Sequence, residues 1–321
     1  MRPTADMCNH AMVWTCALAM IATTSRAQPA TETPAAPPAS SPGSPSRTEA
    51  TAPAAEREGA EKRIEDTAPT STTPIPAAGA TSASSAAELS KKLSNPIANL
   101  ISIPFQFNYD EGFGPNDAGR WLLNFQPVIP ISLGERWNLI LRTIVPVISL
   151  ESPAPTIDGE TGIGDILQSF FFSPKEGKII WGIGPAINYP TATDHTLGAQ
   201  QWGLGPTGVV LRQRHGWTYG ILANHIWGFP DDDESEINQT FLQPFLSYTF
   251  HTATSITLNS ESTYEWNASE WTVPLNLTVG QVVHLGKLPV QFFVGGRWYA
   301  ESPDDGPEWG VRFGFTLLLP K

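Results

Sequence analysis

Short apolar–polar alternations recur through residues 99–320, the connections between them are short and long by turns, and no run of about 18 apolar residues exists to make a membrane helix. These observations predict an all-β fold: a 12-stranded antiparallel transmembrane β-barrel of the outer-membrane type, preceded by a disordered N-terminal tether. Composition points the same way, because 16% charged residues is low against the roughly 25% of soluble domains.

The chain opens with MRPTADMCNHAMVWTCALAMIATTSRAQ. Arg2, a short apolar core over 11–23 and the small-x-small triplet Ser25-Arg26-Ala27 predict a secretory signal peptide at residues 1–27. Both cysteines, Cys8 and Cys16, fall inside it, which leaves no thiol in the rest for a disulfide, a thiolate metal site or a cysteine nucleophile. Val13-Trp14-Thr15 lacks the small residues of a lipidation motif, so Cys16 reads as part of the signal's apolar core. Residues 28–87 are rich in Ala, Pro, Ser and Thr, with one mixed-charge patch, EREGAEKRIED. Too few large apolar side chains are present to offset the entropy of ordering, and the segment is expected to be a disordered periplasmic linker. A short helix over AAELSKKLSN then leads into a barrel domain at 88–321.

The expected strands run 99–110, 120–132, 137–148, 163–173, 178–190, 202–213, 217–228, 237–250, 254–265, 271–284, 288–299 and 309–320. Connections such as LGER, RHG, HTA and LGK are short, whereas EGFGPNDAG, ESPAPTIDGETG, TATDHTLGAQ, FPDDDESE, EWNASE and AESPDDGPE are long. Short turns at one rim and loops at the other is the anatomy of bacterial outer-membrane barrels, and a soluble sandwich has no reason to sort its connections so. Charge sorts with them. Asp231, Asp232, Asp233, Asp304 and Asp305 give an acidic outer rim, while Arg136, Lys175, Lys178, Arg214 and Lys287 sit at the short turns.

Within strands, Ile101, Ile103, Phe105, Phe107 and Tyr109 oppose Ser102, Gln106, Asn108 and Asp110, and Thr257, Asn259, Glu261, Thr263 and Glu265 make an entirely polar face. Apolar faces are expected to meet lipid and polar faces to line the lumen. Trp121, Trp137, Trp202, Trp217, Trp227, Trp266, Trp271, Trp298 and Trp309 lie near strand ends, as interfacial girdles do. VRFGFTLLLPK closes the barrel by pairing with the first strand, so its apolar face needs no covering domain. Prolines inside strands, Pro127, Pro130, Pro146, Pro244 and Pro274 among them, are expected to thin the ladder or bulge it.

The stretch LSNPIANLISIPFQFNYDEGFGPNDAGRWLLNFQPVIPISLGERWNLILRTIVPVI resembles the start of a bacterial outer-membrane family named for the meta-cleavage pathway of phenol degradation. Members are often labelled transporters or, wrongly, neuromedin U. GIGDILQSFFFSPK, WGLGPTGVVL, WTYGILANHIWGF and GGRWYAESPDDGPEWGVRF fit it too, so the resemblance covers residues 88–321. It implies an outer-membrane channel moving hydrophobic or aromatic compounds. An amphipathic last strand is also what the barrel-assembly machinery reads, although here the chain ends in Pro320-Lys321 rather than an aromatic residue.

Face parity places Gln106, Asn108, Asn124, Gln126, Arg142, Asn259, Glu261, Arg297 and Arg312 in the lumen, with Asn138, Asn276 and Gln291. Charges opposed across a narrow pore can select solutes or lock a filled lumen by salt bridges. Arg142 and Arg297 are the residues to test for weak anion sites. A lipid-facing hydrolase built on His225 with Ser260 or Ser262 would need hydrogen-bond contact between them. His195 beside Asp194 has no second histidine at ligand spacing, so neither a metal nor a cofactor is expected. A net charge of −12 without a basic stripe argues against nucleic acid as a partner. The expected partners are outer-membrane lipid and lipopolysaccharide, the assembly machinery, and small hydrophobic or aromatic solutes.

Overall fold

The structure is a computed structural model that describes residues 78–229 and 236–319, with side chains from residue 85 onward. The expected signal peptide, residues 28–77 of the expected linker, Asp231, Asp232 and Asp233 of the acidic rim, and Pro320-Lys321 lie outside the described residues.

One helix, α1 (Ala78–Leu93), precedes fifteen strand segments. They are β1 (Ile101–Phe113), β2 (Ala118–Phe125), β3 (Val128–Leu133), β4 (Trp137–Leu150), β5 (Glu160–Ile163), β6 (Ile166–Pro174), β7 (Ile180–Tyr189) and β8 (Trp202–Arg214). After these come β9 (Trp217–Phe229), β10 (Asn238–Thr249), β11 (Thr254–Ser260), β12 (Ser262–Glu265), β13 (Glu270–Leu285), β14 (Leu288–Glu301) and β15 (Trp309–Leu319). Segments β2 and β3, β5 and β6, and β11 and β12 continue one another across a break, so the wall has twelve strands. Neighbours pair antiparallel, and the ring closes where β15 meets β1, from Ile101 opposite Leu319 to Glu111 opposite Trp309.

The breaks fall at prolines, which have no N–H for the ladder. Gln126 N donates to Pro104 O at 3.0 Å between β2 and β3, Gly164 N to Pro146 O at 2.9 Å between β5 and β6, and Glu261 N to Pro274 O at 3.3 Å between β11 and β12. Each break therefore keeps one backbone bond to its neighbour while freeing the residue at the break from regular pairing.

Two of the long connections are shorter than the sequence suggests. EGFGPNDAG folds mostly into strand ends and EWNASE gives its two glutamates to them, leaving tight turns at 114–117 and 266–269, because alternation continues through Phe113 and resumes at Glu270. At the other rim, His215 and Gly216 have φ of 46° and 83°, the doubly left-handed pair of a two-residue hairpin turn.

Outside, the wall is apolar. Ile183, Leu258, Leu277, Phe292 and Val294 are exposed, Val294 by 62%, in a continuous band too large for a soluble monomer. Aromatic side chains gather toward both ends of the band. Trp137 and Trp181, then Trp217 and Tyr248, pack near the short-turn rim; Tyr109 with Trp121, Tyr189 with Trp202, and Tyr264 with Trp266 and Trp271 pack near the loop rim.

The inside differs from the expected all-polar lining. Val128, Ile140, Phe171, Val209, Leu211 and Leu222, from β3, β4, β6, β8 and β9, form a buried apolar cluster. Strands here are apolar on both faces, so parity alone does not separate the inward residues. Ile97, 3% exposed, fills the middle of this cluster. Gly182 makes room for it, since a Cβ there would meet Ile97 Cδ1 at 3.2 Å. Polar inward side chains are concentrated on β10–β15, β1 and β2, and Arg142, Asn188 and Asn224 add to them from β4, β7 and β9.

The expected short helix over AAELSKKLSN is present and extends further toward the N-terminus. It begins at Ala78, within the stretch expected to be linker. Alanine-rich sequence favours a helix, and Lys91 and Lys92 in the last turn suit its negative end. Ala86, Ala87, Leu89 and Leu93 pack with Ala253, Val282 and Leu318 at the short-turn end of the barrel. Gln213 Nε2 donates to Lys91 O at 2.7 Å, and the Ser94 and Ser247 hydroxyls lie 3.2 Å apart. The chain thus enters its own barrel at that rim before β1 begins.

Candidate functional site: the barrel interior

Two cavities occupy the hollow part of the interior. The one toward the short-turn rim, about 230 Å³, is lined by Gln106, Gln126, Gln243, Thr257, Asn259 and Gln291 and bordered by Leu93, Ser94 and Pro96. The one toward the loop rim, about 280 Å³, is lined by Leu122, Ile144, Leu167, Ile226, Phe241 and Tyr299, with Asn124, Asn188 and Gln239. A smaller cavity of about 140 Å³ follows residues 92–104 along the wall.

A belt of charge separates the two larger cavities. Glu261 sits at the break between β11 and β12, where its neighbours' prolines leave the chain free to turn its carboxylate inward. It accepts Arg312 Nη1 and Nη2 at 2.8 and 2.6 Å, and Arg312 Nε donates to Asn108 Oδ1 at 2.7 Å. Asp110, fully buried, lies between Arg120 Nη2 at 3.0 Å and Arg297 Nη1 at 3.2 Å. Arg120 also covers the Phe113 ring and Arg297 the Tyr299 ring. These pairs tie β1 to β2, β14 and β15 at the seam where the ring closes. Arg142, on β4, donates from Nη2 to Gln126 Oε1 at 3.0 Å.

Of the residues singled out from sequence, Gln106, Gln126, Arg142, Asn259, Glu261 and Arg312 border the inner cavity, and Asn124, Arg142, Glu261 and Arg297 border the outer one. Asn108 stands behind Arg312. Asn276 and Asn138 are buried, and Gln291 Nε2 donates to Ser255 Oγ at 3.4 Å. Asp304 and Asp305 are exposed in the connection 302–308. Sequence reasoning missed three members. Arg120 is one; its turn brings it opposite Asp110 in the β1–β2 register. Asp110 is the second, noted on a polar face but not as a site. Asp165 is the third, buried in the break before β6, where it accepts the backbone N–H groups of Thr191, Ala192 and Gln200 at 3.0–3.1 Å and so holds the 190–201 loop.

The groups weighed for other chemistry are not assembled. His225 Nδ1 lies 2.8 Å from Thr240 Oγ1, and its ring packs on Trp227. Ser260 and Ser262 bond to each other, and Ser260 donates to Pro274 O. His195 pairs with Asp194 at 3.4 Å, and among the described residues no three His, Cys, Asp or Glu are grouped to hold a metal ion.

Neither a family model nor a curated protein matches the chain. Among solved structures, the fold is similar to that of an outer membrane channel from Pseudomonas putida F1, at 15% identity and a TM-score of 0.55, covering 68% of this chain and 96% of that one. The chain has the fold of an outer-membrane β-barrel. A further match is the beta domain of the Bordetella autotransporter Brka, at 8% identity and a TM-score of 0.38, covering 69% of this chain and 100% of that one. In this barrel, the belt and the two cavities it separates are the candidate site.

Proposed function

We propose that the protein is an outer-membrane channel of Gram-negative type through which small hydrophobic or aromatic compounds pass without an energy source. The observation that carries this reading is the outer cavity, where Leu122, Ile144, Leu167, Ile226 and Phe241 face a space of about 280 Å³ that the charged belt and several amides also border. A cavity of about 150 Å³ is enough for a benzene ring, so the space suits a single-ring solute. The apolar outer band suits an outer-membrane location, with the short-turn rim in the periplasm and the acidic loop rim beside lipopolysaccharide. Insertion by the barrel-assembly machinery goes with that location. The likeness of residues 88–321 to the phenol meta-pathway family favours aromatic compounds.

A second reading, a closed structural barrel, is favoured by one observation: α1 and residues 94–100 occupy the short-turn end. Uptake of toluene and of benzyl alcohol into liposomes, with and without the full chain, tests the two readings. Faster entry of both with the protein supports the channel; entry equal to that of empty liposomes supports the closed barrel.

A further inference from the structure

Among the described residues, Arg142 is the one side chain that borders all three of these cavities. Its guanidinium therefore lies where the outer cavity and both inner ones approach one another, with Glu261 between the two larger ones. The other arginines of the belt have carboxylate partners: Arg120 and Arg297 share Asp110, and Arg312 holds both oxygens of Glu261. Arg142 makes no ion pair among the described residues. Its side chain makes one hydrogen bond, to the neutral amide of Gln126, which leaves most of the five guanidinium donors unengaged.

A guanidinium held this way, between cavities, is matched by a planar carboxylate, which takes two parallel N–H bonds from it. On the loop-rim side Leu122, Ile144, Leu167 and Phe241 give the cavity an apolar surface for a ring, beside Asn124, Asn188 and Gln239. We infer that Arg142 is the head-group site for a carboxylate-bearing aromatic solute, which seats its carboxylate on this guanidinium and its ring in the outer cavity. The inference rests on the channel reading above and narrows it to a class of solute. Glu261, already committed to Arg312, stays in place as the solute binds, so exchange needs no rupture of the belt. Gln126 gives up its single bond to Arg142 and is the group displaced.

The test is equilibrium binding of benzoate and of benzamide to the full chain in lipid nanodiscs, with empty nanodiscs as the blank. The two probes share a ring and differ in charge. Wild-type protein is expected to bind benzoate more tightly than benzamide. Arg142→Gln is expected to weaken benzoate about tenfold or more, the loss of a charge-assisted pair, while benzamide changes less than about twofold. Arg142→Lys keeps the charge but not the fork and is expected to fall between. It also serves where Arg142→Gln fails to give the heat-shifted gel mobility of a folded barrel. Benzoate binding unchanged in the folded variants, or benzamide weakened as much as benzoate, overturns the assignment. Binding of benzamide without benzoate by the wild type sinks this site alone and leaves the channel standing. Binding of neither probe sinks both.

Discussion

Glu261 and Arg312 meet through two parallel hydrogen bonds of 2.6 and 2.8 Å, although Glu261 lies in a break of one wall strand and Arg312 in the first half of the strand that closes the ring. The pair joins a place where the ladder is weakest to the place where the barrel must seal. Removing the carboxylate leaves the buried guanidinium of Arg312 without its partner. Glu261→Gln is expected to cost about 3 kcal/mol of folding stability, read from urea unfolding in detergent by gel mobility. The same variant removes negative charge from the belt, so the reversal potential of any residual current should move toward the anion.

Ile97 is the anchor of the N-terminal segment, buried among Val128, Ile140, Phe171 and Leu222. Ile97→Asp puts an unpaired carboxylate into that cluster and is expected to expel residues 94–100 from the interior. Liposome entry of benzyl alcohol should then exceed that of the wild type. Entry no faster than the wild type's would mean that this segment is not what narrows the path.

The two faces of β14 can be separated by charge. Val294 is 62% exposed on the outer band, and Gln291 faces the inner cavity. Val294→Arg should lower folding stability in bilayers by roughly 2–4 kcal/mol, as arginine does near the midplane, while Gln291→Arg is expected to cost about 1 kcal/mol or less. Equal costs would contradict the assignment of these faces.

The 190–201 loop carries an acid-sensitive tie. Asp194 accepts the Thr196 backbone N–H at 2.8 Å and the Thr196 hydroxyl at 2.7 Å, and these bonds hold its carboxyl below the ordinary aspartate range. A carboxylate with a depressed folded pKa stabilises above its unfolded value near 3.9 and loses that contribution as the pH falls through the lowered value. Protection of the Thr196 amide from hydrogen exchange is therefore expected to be flat from pH 7 to about 5 and to fall only below the ordinary aspartate range. Asp194→Ala should abolish that protection at every pH.

Most of the wall was readable because a period of two is unambiguous wherever one face is polar. Phe105, Phe107 and Tyr109 against Gln106, Asn108 and Asp110 leave no choice of face, and parity alone puts Arg312 on the side of Asn108. It fails at Phe170-Phe171-Phe172 and Val209-Val210-Leu211, where both faces are apolar and only the burial of Phe171, Val209 and Leu211 tells inside from outside. Pairing is a different matter. Nothing local says that Glu261 will find Arg312, which is 51 residues away. That register depends on where each proline shifts the ladder. Only the second half of helix α1 was legible, in AAELSKKLSN; its first turns lie in Ala and Ser that serve a linker as well as a helix, and the surface against which Ala86, Leu89 and Leu93 pack is made by Ala253, Val282 and Leu318 far along the chain.

The apolar cluster on β4, β6, β8 and β9 has a mechanical consequence. A tube braced from within on one arc and hollow on the other does not deform evenly. Lateral pressure from the bilayer meets packed side chains across the braced arc, which resists flattening as a filled rod does. The strain therefore passes to β10–β15, where the middle of the wall is spanned by Glu261, Arg312 and their neighbours and the short-turn end by α1. A thicker or stiffer membrane would then alter the width at the belt first, so the species this barrel admits should depend on the lipids around it as well as on its own side chains.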